Sequence, residues 1–265
     1  MKKILILVMM AFCGFTFEAQ NINLTDIYNY ANKVNMPNSD RELLMPMVIG
    51  SFEGNSEIVY NNASKLSNKG YSIGDYFLGW CYEGGENVLL DLKKAQEYFH
   101  KAAANKNPFN WAYRSLGFSY YDGDSGSKDY KEALKWFSKA ADEIQFGAYK
   151  GQSFLAMGII YQGEGNVPAN EDLEYHYIKK SAELGWPYGE EKLGQLLFTS
   201  KKFRNEKEAR YWIAKAANND MAYSQFIYGY LLLQDGNETE GIKYIRKAAT
   251  QGVFPAMQLL NEYQN

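Results

Sequence analysis

Groups able to do chemistry are sparse in this chain of 265 residues, which holds two histidines and two cysteines. Neither His100 nor His176 has a cysteine or a second histidine at metal-ligand spacing, so each is expected on a surface or groove edge. Cys81 lies two residues after Gly79 in a helical stretch, where a buried, inert thiol is expected. Glu83 and Glu164 lie near loops, and nothing in their spacing pairs them as acid and base. No nucleophile elbow, phosphate-binding loop, dinucleotide fingerprint or zinc-protease motif occurs. The absence of a nucleophile–base constellation points away from an enzyme, and no cofactor or metal is expected.

Aromatic side chains, by contrast, are abundant at 16% of residues, with 22 tyrosines. Six of them, Trp80, Trp111, Phe118, Tyr188, Tyr223 and Tyr230, occupy equivalent positions in successive segments, as set out below. Exposed tyrosine and tryptophan are typical anchors for a protein or peptide. One reading makes these six a strip lining a binding groove; the other packs them between neighbouring repeats. Gln152 and Gln195 interrupt the strip.

The elements that must position these rings form an internal repeat. Lys101-Ala102-Ala103 returns as Lys139-Ala140-Ala141, Lys180-Ser181-Ala182, Lys215-Ala216-Ala217 and Lys247-Ala248-Ala249, in steps of 38, 41, 35 and 32 residues. A second marker, Gly79, Gly117, Gly158, Gly194 and Gly229, steps by 38, 41, 36 and 35. Two markers held in phase over five units identify a repeat array.

Each unit reads as two helices. Helix A carries the glycine, with a small residue five positions before it (Gly74, Ala112, Ser153, Gly189, Ser224) and Tyr82, Tyr120, Tyr161, Leu197 or Leu232 three after it. These positions share one helical face. Glycine inside a helix costs about 1 kcal/mol against alanine, so its recurrence predicts a close helix crossing. Trp80, Phe118 and Tyr230 stand one position after that glycine slot, and Trp111, Tyr188 and Tyr223 stand six before it.

Helix B carries Lys-Ala-Ala. Ten residues before each lysine stands Asp91, Asp129, Asn170, Asn205 or Asn237, as an N-cap. Glu132, Glu208 and Glu240, three residues on, are expected to complete capping boxes. Glycines close several A–B turns: Gly84-Gly85, Gly123, and the Gly163–Val167 loop. Residues 40–70 read as a degenerate first unit, 24–34 as a leading helix, and 254–264 as a capping half unit.

These lines resemble the Sel-1-like repeat family, a relative of tetratricopeptide repeats. The resemblance covers roughly residues 40–260. It rests on small-x-x-x-Leu-Gly-x-x-Tyr in helix A, on Gly163-x-Gly165-x-Val167, and on Asp129, Ala133, Trp136, Phe137, Lys139, Ala140 and Ala141 in helix B. It implies an all-α fold, a right-handed superhelical α-solenoid of helix–turn–helix repeats acting as an adaptor between proteins. Some exported relatives carry a disulfide in each repeat and have been linked to penicillin binding; those cysteines are missing here, so that activity is not carried over.

The first residues add a location. Lys2 and Lys3 precede an unbroken apolar run from Ile4 to Phe12, with Ala19–Gln20 following, as in a bacterial-type secretory signal peptide cleaved near Ala19. Cys13 offers a lipoprotein alternative, but Phe12 is bulky where such boxes take a small residue. The expected organisation is a signal peptide at 1–19, a leading helix within 20–39 and the solenoid over 40–265, about six units plus the half unit. The run is too short to span a bilayer, so the mature chain is expected to have no transmembrane segment. Net charge is −3 with no basic block, which excludes an electrostatic footprint for nucleic acid. Together these features predict an exported, periplasmic or secreted, non-catalytic scaffold for a protein or peptide partner. The alternatives are an envelope enzyme of penicillin-interacting or hydrolase type, and an immunity-type inhibitor of a toxin.

Overall fold

Glycine in the middle of helix A and a capping residue ahead of helix B demand tightly crossed helix pairs, and such pairs build the protein. The computed structural model describes residues 24–85, 88–124, 126–144, 147–163 and 165–264. The expected leader at 1–19, Cys13 and Glu164 lie outside the described residues. Among the described residues every regular element is a helix. The chain divides into two compact units, up to Lys128 and from Asp129.

The first unit holds α1 (Leu24–Lys33), a single turn α2 (Asn38–Arg41), α3 (Leu44–Glu53), α4 (Ser56–Asn68), α5 (Ser72–Gly84), α6 (Leu92–Ala104) and α7 (Trp111–Asp122). The second holds α8 (Tyr130–Glu143), α9 (Gly147–Ile160), α10 (Glu171–Glu183), α11 (Pro187–Thr199), α12 (Glu206–Asn218), α13 (Ala222–Gln234), α14 (Glu238–Thr250) and α15 (Phe254–Gln264). Within each unit packing is mainly between helices consecutive in sequence. No described helix is long and apolar enough to cross a membrane.

The recurring glycine makes the close crossing its position predicts. A Cβ at Gly79 would lie 2.6 Å from the Phe99 ring, at Gly158 2.6 Å from Ile178, at Gly194 2.7 Å from Ile213, and at Gly229 2.8 Å from the Gly241 carbonyl. Phe99, Ile178, Ile213 and Ile245 are all buried. Each stands two residues before the repeat lysine, a slot that carries no marker of its own. The small residue five positions earlier meets the preceding B helix instead: a Cβ at Gly74 would lie 2.6 Å from the Ala63 carbonyl, and at Gly189 2.9 Å from the Ala182 amide. Helix A thus touches its own partner at one small residue and the previous pair at the other.

The caps behave as expected in four units. Asp91 accepts from the Lys94 amide, Asp129 from Lys131 and Glu132, Asn170 from Leu173 and Asn205 from Glu208. Asn237 accepts none. The expected capping boxes do not close. Glu132 and Glu240 reach Lys135 and Lys243, and Glu208 accepts from the Asn205 side-chain amide. The cap's own amide is already occupied: Asp91, Asn170, Asn205 and Asn237 donate it to the carbonyls of Tyr82, Tyr161, Leu197 and Leu232, at 3.0, 2.8, 3.0 and 2.9 Å. Asp91, Asn170 and Asn205 therefore each cap helix B with the side chain and tie it to helix A with the backbone.

The repeat lysine joins the two helices of three pairs. Lys215 Nζ lies 2.9 Å from Glu190 Oε1 and 5.0 Å from the centre of the Trp212 ring. Glu190 is wholly buried, and its Oε2 accepts from Asn219 at 2.7 Å. In the first unit Lys101 meets buried Asp75 at 2.7 Å, and Ser67 donates to the same carboxylate. Both carboxylates stand four residues before the glycine of helix A. Where that position is Phe154, Lys180 lies 5.1 Å above the ring instead.

Gly165 and Asn166 reach back to the start of α8, the preceding B helix. Gly165 takes φ +52 against the Tyr130 ring, and Asn166 donates to Asp129 Oδ1 at 3.0 Å. That bond, followed by the Glu132 amide, holds the Asp129 carboxyl below its ordinary pKa. A lowered folded-state pKa stabilises above the unfolded value, about 3.9, and the contribution fades as pH falls through that range. Asn166→Ala is expected to move the Asp129 titration upward, towards the ordinary value, in carboxyl NMR. An unmoved titration would remove Asn166 from this role.

Candidate partner-binding face

The six strip aromatics separate in the structure. Trp111, at the start of α7, is 2% exposed, and its Nε1 donates to Asp26 Oδ2 of α1 at 3.0 Å. Burial raises the Asp26 pKa, with the indole hydrogen bond opposing it. Trp111 is therefore a packing residue and not an accessible anchor. Trp80 on α5 and Phe118 on α7 are half-buried, Phe118 with the Arg114 guanidinium 5.8 Å from its centroid. Tyr188, Tyr223 and Tyr230 are exposed, at 40%, 50% and 46%.

These three tyrosines lie on α11 and α13 of the second unit. Tyr188 sits 5.7 Å from Trp186, and Phe226 bridges Tyr223 at 6.1 Å and Tyr230 at 6.5 Å. The Phe226 ring joins the two tyrosines of α13 into one aromatic surface. The helix-A periodicity accounts for the placement: six before and one after the glycine slot both turn away from Ile213 and Ile245, the residues each glycine crosses.

Next to this surface opens a groove of about 500 Å³, lined by Tyr223 with Lys192, Gln195 and Thr199 of α11 and Glu171 and Glu174 of α10. Gln195, which interrupts the aromatic strip in sequence, thus shares a concavity with one of its members. The carboxylates of the groove carry no sequence marker, because the first turn of helix B is acidic for helix-dipole reasons alone.

The groups that might have done chemistry are engaged in packing or lie apart. His100 Nε2 is 3.1 Å from the Tyr120 hydroxyl, and His176 is exposed with its ring 5.1 Å from Tyr177. Cys81 is buried and forms no disulfide among the described residues. Glu83 is half-buried near the end of α5. Among the described residues no three histidine, cysteine or carboxylate groups converge on a point.

No curated protein sequence matches the chain. Among solved structures, a protective antigen of uropathogenic Escherichia coli with an SLR fold superposes with a TM-score of 0.69 at 22% identity, over 85% of this chain and 48% of that one. This chain thus spans about half the length of that relative. A Sel1 repeat protein from Oxalobacter formigenes superposes with a TM-score of 0.63 at 18% identity, over 81% of this chain and 86% of that one. At these identities the likeness concerns the fold, an α-solenoid of helix pairs. The Sel1 repeat family itself matches residues 72–107, 112–143, 150–186, 187–221 and 222–253. These segments carry the glycine and lysine markers and their crossed helix pairs, and span more than half of the sequence: the chain belongs to the Sel1 repeat family.

Proposed function

We propose that the protein is a non-catalytic scaffold, exported to the cell envelope or beyond, that holds a partner protein against the helix-A tyrosines of its second unit. Sel1 repeats mediate protein–protein interaction. The observation that carries the reading is the exposure of Tyr188, Tyr223 and Tyr230 on neighbouring A helices. Tyrosine offers a large contact area while freezing few torsions. Export rests on Lys2, Lys3 and the apolar run to Phe12.

Photo-crosslinking in the native host tests both parts. A benzophenone side chain at Tyr223 is expected to yield one discrete adduct, recovered from the envelope or medium. The same group at Tyr211, which is more exposed at 59% but lies on helix B, is expected to yield none. Equal adducts at both positions would reject the helix-A face. Adducts confined to the cytoplasm would reject export.

A further inference from the structure

Resting on that scaffold reading, we propose that the groove beside Tyr223 takes a basic segment of the partner, with arginine or lysine side chains meeting Glu171 and Glu174. The first turn of α10 carries three acids. Asp172 is neutralised by Lys202 at 2.6 Å. Glu171 and Glu174, which line the groove, are bonded by neutral donors: Ser200 Oγ donates to Glu171 Oε1 at 2.6 Å, and Gln162 Nε2 to Glu174 Oε1 at 2.8 Å. A neutral donor orients a carboxylate and leaves its charge in place. Each acid keeps a second oxygen for a cation, and no ion pair to either occurs among the described residues.

The aromatic surface fits the same chemistry. A guanidinium or ammonium is attracted to the face of an exposed tyrosine, and a guanidinium also matches a carboxylate in a two-bond geometry. Nucleic acid is disfavoured, because the two carboxylates repel phosphate. Lys192 is the groove's opposing charge. It leaves an excess of one negative charge along the lining and repels a cation placed beside it, which orients a basic segment towards α10.

Binding of short fluorescein-labelled peptides to the full chain, read by fluorescence anisotropy, tests the inference. One probe alternates arginine with glycine, and the other alternates glutamate with glycine. The basic probe is expected to bind and the acidic one not. Glu171→Gln with Glu174→Gln is expected to weaken the basic probe about tenfold, the combined effect of two partly exposed charge pairs. Glu53→Gln with Glu57→Gln removes the same charge from exposed positions on α3 and α4, and is expected to change little. Lys192→Glu is expected to strengthen binding. Equal binding of both probes, equal loss from the remote pair, or weaker binding by Lys192→Glu would each overturn the basic partner. If the Tyr223 crosslink survives any of those results, the scaffold reading stands without it. If the crosslink is lost as well, both fail.

Discussion

Lys215→Met is expected to destabilise the second unit by about 2–4 kcal/mol, because it leaves the Glu190 carboxylate buried without its cation. Removing one member of a fully buried pair costs about 3–5 kcal/mol. The lower range applies here because the Lys215 side chain is 38% exposed, so water screens part of the pair. Glu190 has no such access, and Asn219 supplies it a single neutral hydrogen bond. Adding Glu190→Gln to Lys215→Met is expected to recover more than half of the loss, since an amide keeps the shape and sheds the charge. Lys207→Met, at an exposed position, provides the comparison, and urea unfolding followed by circular dichroism reads all three. If Lys215→Met costs no more than Lys207→Met, the pair carries no stability.

Gly194→Leu is expected to cost about 3 kcal/mol or more, at the upper end of overpacking. A Cβ alone at this position would stand 2.7 Å from Ile213 Cγ1 and 3.2 Å from the Ile213 amide nitrogen. The side-chain atom can move aside, but the backbone atom yields only if α11 and α12 separate. Ile213→Ala in the same chain is therefore expected to restore part of the stability, although alone it destabilises by opening a cavity. Thr199→Leu, exposed on the same helix, is expected to stay within about 0.5 kcal/mol. Thermal unfolding of the four variants checks this, and a simple addition of the Gly194 and Ile213 losses would mean that the helices do not cross there.

What sequence made legible was whatever repeats. The glycine and lysine markers set the helix pairs because each unit solves the same packing problem with the same small residue. The partners of those markers were hidden. Phe99, Ile178, Ile213 and Ile245 are ordinary apolar residues in an apolar helix, and only the crossing singles them out. Asp75 and Glu190 do not recur in every unit, so the role of the lysine as their counterion leaves no periodic trace. The capping boxes at Asn205 and Asn237 failed because sequence cannot show that the cap amide is already spent on a helix-A carbonyl. Trp111 was misplaced for a different reason: its partner Asp26 is 85 residues away, on a helix outside the repeat. Tyr188, Tyr223 and Tyr230 are exposed, whereas the sequence left open whether such rings line a groove or pack between repeats.

The missing side-chain cap at Asn237 has a consequence for motion. A lost N-cap is worth about 1 kcal/mol, so the first turn of α14 opens more readily than the capped starts of α10 and α12. That turn includes Gly241, the backbone against which Gly229 of α13 is pressed. Opening there loosens the helix that bears Tyr223 and Tyr230, while Tyr188 stays on α11, whose neighbour α12 is capped by Asn205. Under the proposed scaffold role, the half of the tyrosine surface on α11 would set the register of the partner, and the half on α13 would adjust to it.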